Sequence, residues 1–326
     1  IALVLGGVIG LWLLALAGIR QEYLAAFRRA IAGRTLDVEG IRDMVRSPAA
    51  IRTLAGGLSG DDERQVIYTL SLLESADSDL LAPHLVPLLA HRSAEVRRLA
   101  MRKLAASRDE AHRAEVEPLL ADPVRAVRRE AARYLGRTAP AGEEAGLRAF
   151  LSSPDWRVRA AALEVVAGSA HEDGTKPEPA RDRAVRLEWI DGPLLDSLIG
   201  VEGPGRADAR VAAARAIAAL DPDTVHASRL DVLLDDPDPV VRGEAMAAAA
   251  AVRDPRPIGR LLEALRRPRD RRAARAALAA YGEGILPLLG LYLDDKILDL
   301  GLRVQIPGAA GLMQSQPAVD FLLERI

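Results

Sequence analysis

The chain has 326 residues, enough for one long repeat domain or two compact domains. Aromatic residues make up only 3% of it, a composition typical of thin helical layers rather than of a thick β core. The net charge is −2 although 28% of the residues are charged, so the basic excess of most nucleic-acid-binding proteins is missing and we predict no nucleic-acid partner. Cysteine is absent, which excludes disulfides, thiolate metal sites and thiol catalysis.

The first nineteen residues, IALVLGGVIGLWLLALAGI, contain no charged side chain. A helix of this length covers about 28 Å, close to the hydrocarbon thickness of a bilayer. We therefore predict that residues 1–19 form a transmembrane helix that places the chain in a lipid bilayer. A secretory signal peptide and a buried helix of a soluble protein are the alternatives, although no basic region precedes the apolar run. Because the chain begins with Ile1 rather than methionine, we expect it to be a fragment.

Residues 20–47 are predicted to form an amphipathic junction helix and a linker. Tyr23, Leu24, Phe27 and Ile31 recur at steps of three and four residues, which marks one helix face. The opposite, arginine-rich face lies either on anionic headgroups or in solvent. These arginines directly follow the apolar run, and the positive-inside rule then places the rest of the chain in the cytoplasm, at a bacterial inner membrane.

A segment of about 31 residues recurs along the remainder of the chain. The clearest copies are LVPLLAHRSAEVRRLAMRKLAAS, VEPLLADPVRAVRREAARYLGRT, LRAFLSSPDWRVRAAALEVVAGS and LDVLLDDPDPVVRGEAMAAAAAV. Each has an apolar helix, a short turn, and a second helix that opens with Val-Arg. The valines are Val96, Val127, Val158 and Val241, and the first three are spaced by 31 residues. Weaker copies lie around Val66, Ala209, Arg271-Arg272 and Leu302.

Within the second helix, apolar residues step by four, as in Val96, Ala100 and Leu104, so they share one face. The small alanine in the middle lets this helix approach the next layer closely. One helical pair cannot bury its apolar side alone, so the pairs must stack. We predict an all-α fold, an α-solenoid of about eight helical pairs over residues 48–326, preceded by the transmembrane helix.

The spacing from Val158 to Ala209 is 51 residues, about 20 more than one repeat. The excess predicts an insertion at about residues 168–188, which begins as a loop because it contains Gly174, Pro177 and Pro179. Such an insertion either contacts a partner or is an excursion without a role. Trp189 follows it and is a candidate for holding the chain against the stack.

The recurring turn and the arginine after the valine resemble the HEAT-repeat family. In that family a turn aspartate and this arginine form a ladder between layers, which implies a structural role for the matching residues here. These are Arg97, Arg128, Arg159, Arg210, Arg242 and Arg303, with Asp61, Asp122 and Asp236 five residues before the valine position. His91 and Ser153 replace the aspartate in two repeats, so we expect an interrupted ladder. An anion-binding stripe of arginines is the alternative.

Motifs of nucleotide-binding and metal-dependent enzymes are missing from the sequence. It has no GxxxxGK[ST], GxGxxG or HExxH, and His171-Glu172 falls in the predicted loop. His84 and His91 are seven residues apart, which is a weak metal signal, and ordinary surface histidines are the preferred interpretation. We therefore predict no catalytic residue, no metal site and no cofactor.

The order of membrane segment, junction and repeats resembles bacterial membrane proteins in which a bundle of the major-facilitator or nucleotide-translocase type precedes a cytoplasmic HEAT domain. The late stretches LGLRVQIPGAAGLM and SQPAVDFLLERI are similar to the final HEAT repeats of that group. The resemblance implies a membrane-tethered scaffold or regulatory domain that binds protein partners and is not an enzyme. A HEAT-type lyase or chaperone-like enzyme, a single-pass anchored subunit of a complex, and a nucleic-acid-binding HEAT protein are the alternatives.

Overall fold

A computed structural model describes residues 51, 54–60, 62–73, 78–106, 110–168, 180–220 and 226–325. Every regular element within these residues is a helix, and most of the helices are short. The chain divides into two compact units, one ending at Gly146 and one beginning at Leu147. The prediction of an all-α fold is therefore confirmed for the described residues.

The first unit contains helical pairs separated by tight turns. Within its described residues the α-helices are, in chain order, α1 (Glu63–Leu72), α2 (Ser78–Leu85), α3 (Ala94–Leu104), α4 (Arg113–Val116) and α5 (Arg125–Arg137). The next helix, α6 (Glu143–Leu151), crosses the boundary between the units.

The second unit continues the same alternation of first and second helices. Its α-helices are α7 (Trp156–Ala167), α8 (Ala180–Leu187), α9 (Gly192–Ile199), α10 (Arg206–Ala218), α11 (Ala227–Leu234), α12 (Pro239–Val252), α13 (Ile258–Ala264), α14 (Arg271–Ala280), α15 (Leu286–Asp294), α16 (Leu300–Arg303), α17 (Ile306–Ala310) and α18 (Gln316–Leu323).

The first helices of several pairs are broken into α and 3-10 segments, which the sequence analysis did not predict. The helix α2 passes into a 3-10 helix at Val86–Ala90, and α4 passes into one at Glu117–Ala121. Both 3-10 helices carry proline near their start, Pro87 and Pro118. Proline lacks the amide that would continue the α-helical hydrogen bonds, so the chain tightens at these points.

The second helices begin at capping residues in the turns. Ser93 accepts a hydrogen bond from the Val96 amide, Asp155 from the Arg157 amide and Asp238 from the Val240 amide. Each of these side chains satisfies an amide that the helix leaves free, which fixes where the helix starts. At the start of α1, Asp62 caps the helix by accepting a hydrogen bond from the Arg64 amide.

The second helices of neighbouring pairs pack against one another within each unit. In the first unit α3 contacts α1 and α5, and in the second unit α10 contacts α7 and α12, while α14 contacts α12 and α17. Ala100, Ala131 and Ala245 in this row are fully buried. Since each layer covers the apolar side of the next, the packing within each unit is that of an α-solenoid.

The valine positions lie in this buried row, with one exception. Val66, Val96, Val127 and Val241 are fully buried, whereas Val158, in the first turn of α7, is only half-buried. The four-residue step therefore identifies the buried face of the second helix in most repeats.

Three predictions lie on residues outside those described. They are the transmembrane helix at residues 1–19, the junction at residues 20–47, and the loop of the insertion, of which residues 169–179 are outside and Ala180–Leu187 forms α8. Among the described residues, no single helix combines the length and apolar character needed to cross a bilayer.

Candidate interaction site

Arginine and aspartate side chains connect the turns of adjacent layers in the first unit. Arg97 donates from Nε and Nη2 to the two carboxylate oxygens of Asp122, at 2.8 and 3.0 Å. It also donates from Nη1 to the carbonyl oxygens of His91 and Arg92 in its own turn. Asp122 in addition accepts the Val124 amide at 2.8 Å. One guanidinium group therefore ties its own turn to the turn of the following layer.

The second unit contains two contacts of the same kind. Arg210 donates to Asp236, and Arg242 donates from Nε and Nη2 to Asp270 at 2.8 and 2.7 Å. Arg242 also donates to the carbonyl oxygens of Asp236 and Pro237. The hydrogen bonds to Asp270 raise the pKa of Arg242 above its ordinary value, which keeps it charged.

The other arginines of the predicted ladder contact backbone carbonyl groups. Arg128 donates to Asp122 and Pro123, Arg159 to Ser153 and Pro154, and Arg303 to Leu293. Asp61 lies outside the described residues.

Asp270 takes part in a ladder contact but was missed by the sequence analysis. It directly precedes α14, whereas Asp122 and Asp236 precede their helices by three residues. The degenerate repeat around Arg271-Arg272 has no Val-Arg pair from which a spacing could be counted. The only sequence signal was an aspartate surrounded by arginines in RRPRDRR.

A groove lies between the second helices α12 and α14. Its volume is about 640 Å³, and its walls are Pro239, Val240, Gly243, Glu244, Ala247, Ala250, Ala251 and Arg253 on one side and Ala273, Ala276, Ala277 and Ala280 on the other. The alanines and the glycine leave the space between the two helices open, because their side chains project little beyond the backbone. Val240 is 61% exposed at one end of the groove.

The two helices that form the groove run parallel. A Cβ atom on Gly243 would lie 3.7 Å from the Cβ atom of Ala273, so the starts of the helices face each other. At the other end, the Tyr281 hydroxyl donates to the carbonyl oxygens of Ala249 and Asp254, at 3.0 and 2.6 Å. Burial, together with the Asp254 carboxylate, raises the pKa of Tyr281. Tyr281 therefore remains a hydrogen-bond donor that joins the two layers at this end of the groove.

The chemistry of the groove favours apolar contact. Its charged wall residues are Glu244 and Arg253. Glu244 already accepts two hydrogen bonds from Arg215 of α10, at 3.0 and 2.6 Å. A small-molecule site usually has several polar groups that converge to orient the ligand. This groove instead offers a long alanine surface with one remaining cation in its wall.

The histidines of the described residues do not form a metal site. His91 accepts the Ser93 amide at Nδ1, and His226 lies beside Arg229, which pairs with Asp196. Desolvation lowers the pKa of His226. No group of three histidine or carboxylate side chains able to hold a metal ion occurs within the described ranges.

Trp189 lies where the predicted insertion ends. The Arg148 guanidinium carbon lies 4.6 Å from the centre of a Trp189 ring, which joins the segment after α8 to α6. The adjacent Ile190 is buried. These contacts hold the end of the insertion against the helices of the second unit.

Residues 82–167 match the family described as HEAT repeats. This match extends from within α2 to the end of α7, and it covers 86 of the 326 residues. No curated protein sequence matches the chain.

Solved structures with a similar arrangement of helices include the following three. One is an engineered protein, with 19% identity and a TM-score of 0.39, covering 88% of this chain and 90% of that one. Another is the complex of CpcE and CpcF of phycocyanin lyase from Nostoc sp. PCC7120, with 20% identity and a TM-score of 0.37, covering 76% of this chain and 92% of that one. The third is a mutant of Kap121p, with 12% identity and a TM-score of 0.34, covering 85% of this chain and 35% of that one.

Proposed function

We propose that the chain is a protein-binding scaffold without catalytic activity, and that the groove between α12 and α14 is a docking surface. The observation that carries this proposal is the groove wall, which consists mostly of alanine and contains one carboxylate that is already paired. Small side chains let a partner helix approach closely, and an amphipathic helix in an apolar groove is a recurrent mode of recognition. Stacked helical repeats supply such extended surfaces.

We further propose that the scaffold is tethered to a bacterial inner membrane, with the repeats in the cytoplasm. The uncharged run of residues 1–19 and the arginines that follow it support this arrangement. The resemblance of the order of segments to membrane proteins with a transporter-like bundle supports a role as a regulatory domain of such a protein.

Filling the groove should weaken docking strongly. A library of helical peptides would be selected on the full chain, and each peptide would then be measured on wild type and on Ala276→Trp by fluorescence anisotropy. Ala276 is exposed in the groove wall, so an indole there occupies the space of the partner without disturbing the core. We expect at least about 10-fold weaker binding, since a bulky side chain prevents close approach of a helix.

The matched control is Ala149→Trp, an exposed alanine of α6 outside the groove. It should leave peptide affinity within about twofold, because it changes no groove contact. The proposal fails if the selection yields no peptide, or if the selected peptides bind Ala276→Trp as well as wild type.

The membrane proposal has a separate test in the full chain. Ile9→Arg and Leu13→Arg together place two charges in the apolar run, which disfavours insertion. We expect wild type to remain with membranes after alkaline carbonate extraction and most of the double variant to be released. Circular dichroism of both proteins should be the same. Release of wild type by carbonate would contradict the tether.

A further inference from the structure

Positive charge is concentrated at the layer that forms the groove. Residues 263–275, EALRRPRDRRAAR, contain six arginines but only Glu263 and Asp270 as acids, in a chain whose net charge is −2. Asp270 is already engaged by Arg242. Arg266 pairs with Glu263 and Asp299, and Arg267 with Asp270, so these carboxylates offset only part of the positive charge at the start of α14 and in the turn before it.

Two arginines of this region flank the groove. Arg253 is part of its wall at the end of α12. Arg272 directly precedes Ala273 and lies four residues before Ala276, so it shares a side of α14 with a wall residue. Within the part of the chain that the structure describes, the side chain of neither arginine has a hydrogen-bond or ion-pair partner, and both residues are exposed.

The parallel arrangement of the helices places the two arginines at opposite ends of the groove. Gly243 faces Ala273, so Arg272 lies near the level of Arg242 on the neighbouring helix. From that level to Arg253 is eleven residues of α12, a rise of about 17 Å. The groove is therefore an apolar trough with an unpaired cation at each end.

We infer that the partner segment is an acidic amphipathic helix, with small apolar residues towards the groove and two carboxylates about eleven residues apart. Eleven residues make about three turns, so both carboxylates lie on one helix face and span about 17 Å. One carboxylate then pairs with Arg272 and the other with Arg253. This inference rests on the proposed function and adds to it the chemical class and the spacing of the partner.

The groove walls favour a helix over other acidic polymers. Glu244 is paired with Arg215, so it does not repel an acidic partner. The groove walls have no row of cations that could follow a nucleic-acid backbone. The exposed alanines give no aromatic surface for base stacking. An anionic bilayer is too flat to enter the trough between two helices.

The probe is a fluorescein-labelled, capped, alanine-rich peptide of twenty residues with glutamates at positions 4 and 15. One comparison peptide has lysines at those positions, and a second has the glutamates at positions 4 and 9, which lie on different faces. Fluorescence anisotropy with the full chain should show the first peptide binding at least about fivefold more tightly than either comparison peptide, with the difference decreasing as salt is added.

Charge reversal in the protein completes the test. Arg272→Glu should lower the affinity for the glutamate peptide about fivefold. Arg206 is an exposed arginine at the start of α10, and Arg206→Glu should leave that affinity unchanged. The double variant Arg253→Glu, Arg272→Glu should prefer the lysine peptide.

Equal binding of the acidic and basic peptides to wild type would overturn the inference. If Ala276→Trp still blocked both peptides, the docking groove itself would stand. Heparin and vesicles rich in anionic lipid serve as further probes. The inference would also be overturned if either bound as tightly as the glutamate peptide and if Ala276→Trp did not change that binding, because the arginines would then act by charge alone.

Discussion

Replacing Asp270 with alanine should lower the free energy of unfolding of the layer that contains α12 and α14 by about 3–5 kcal/mol. The Asp270 side chain is fully buried and the Arg242 side chain is 11% exposed. Removing the carboxylate takes the Asp270 acceptor from Nε and Nη2 of a largely buried guanidinium group, while the carbonyl oxygens of Asp236 and Pro237 accept from Nη1. An uncompensated buried charge is far more unfavourable than the loss of a surface ion pair.

Hydrogen exchange is the appropriate measurement, because stacked repeats respond locally to a substitution. Amides of α12 and α14 should exchange faster in Asp270→Ala, while those of α3 in the first unit should be unchanged. The matched control is Glu244→Ala, which removes an equally short but exposed pair with Arg215 and should lower stability by less than about 1 kcal/mol.

Replacing both partners gives a further check. Arg242→Met with Asp270→Leu removes the charge and its counter-charge together, so it should recover much of the stability lost in the single variant. If the amides of α12 and α14 exchanged as slowly in Asp270→Ala as in wild type, the contact between Arg242 and Asp270 would not stabilise this layer.

The sequence predicted the repeat, the helix class and several turn residues because each depends on local spacing. A valine, an alanine and a leucine at steps of four can form a stacking face only on a helix, and Val96 and Ala100 are buried as that pattern predicts. Asp-Pro in a turn similarly predicts a helix end. Asp122 and Asp236 were found because they precede a valine at a fixed distance.

The remaining features depend on contacts between layers. Asp270 is displaced relative to its helix, so no spacing could identify its pairing with Arg242. The groove is formed by alanines of two helices about thirty residues apart, and alanine in a repeat protein is first of all a packing residue. The free arginines could be recognised only after the structure showed which other arginines have partners.

Replacing Ala245 with leucine should destabilise α12 by about 1–3 kcal/mol. Ala245 is fully buried, in the middle of the stripe that includes Val241 and Ala249, and α12 packs against helices on several sides. Extra methylene groups there must displace a neighbouring helix or adopt an unfavourable rotamer, since interiors of this kind are close-packed.

Ala247 provides the control within the same helix. It lies two residues away but is exposed in the groove wall, so Ala247→Leu should change stability by less than about 0.5 kcal/mol. Urea denaturation followed by circular dichroism, with hydrogen exchange of α12, measures both variants. Equal effects at the two positions would mean that α12 has no closely packed side, and the stacking of second helices would then be wrong. If only Ala245→Leu lowers stability, the layer contact needs a small residue at position 245, because helix propensity changes equally in the two variants.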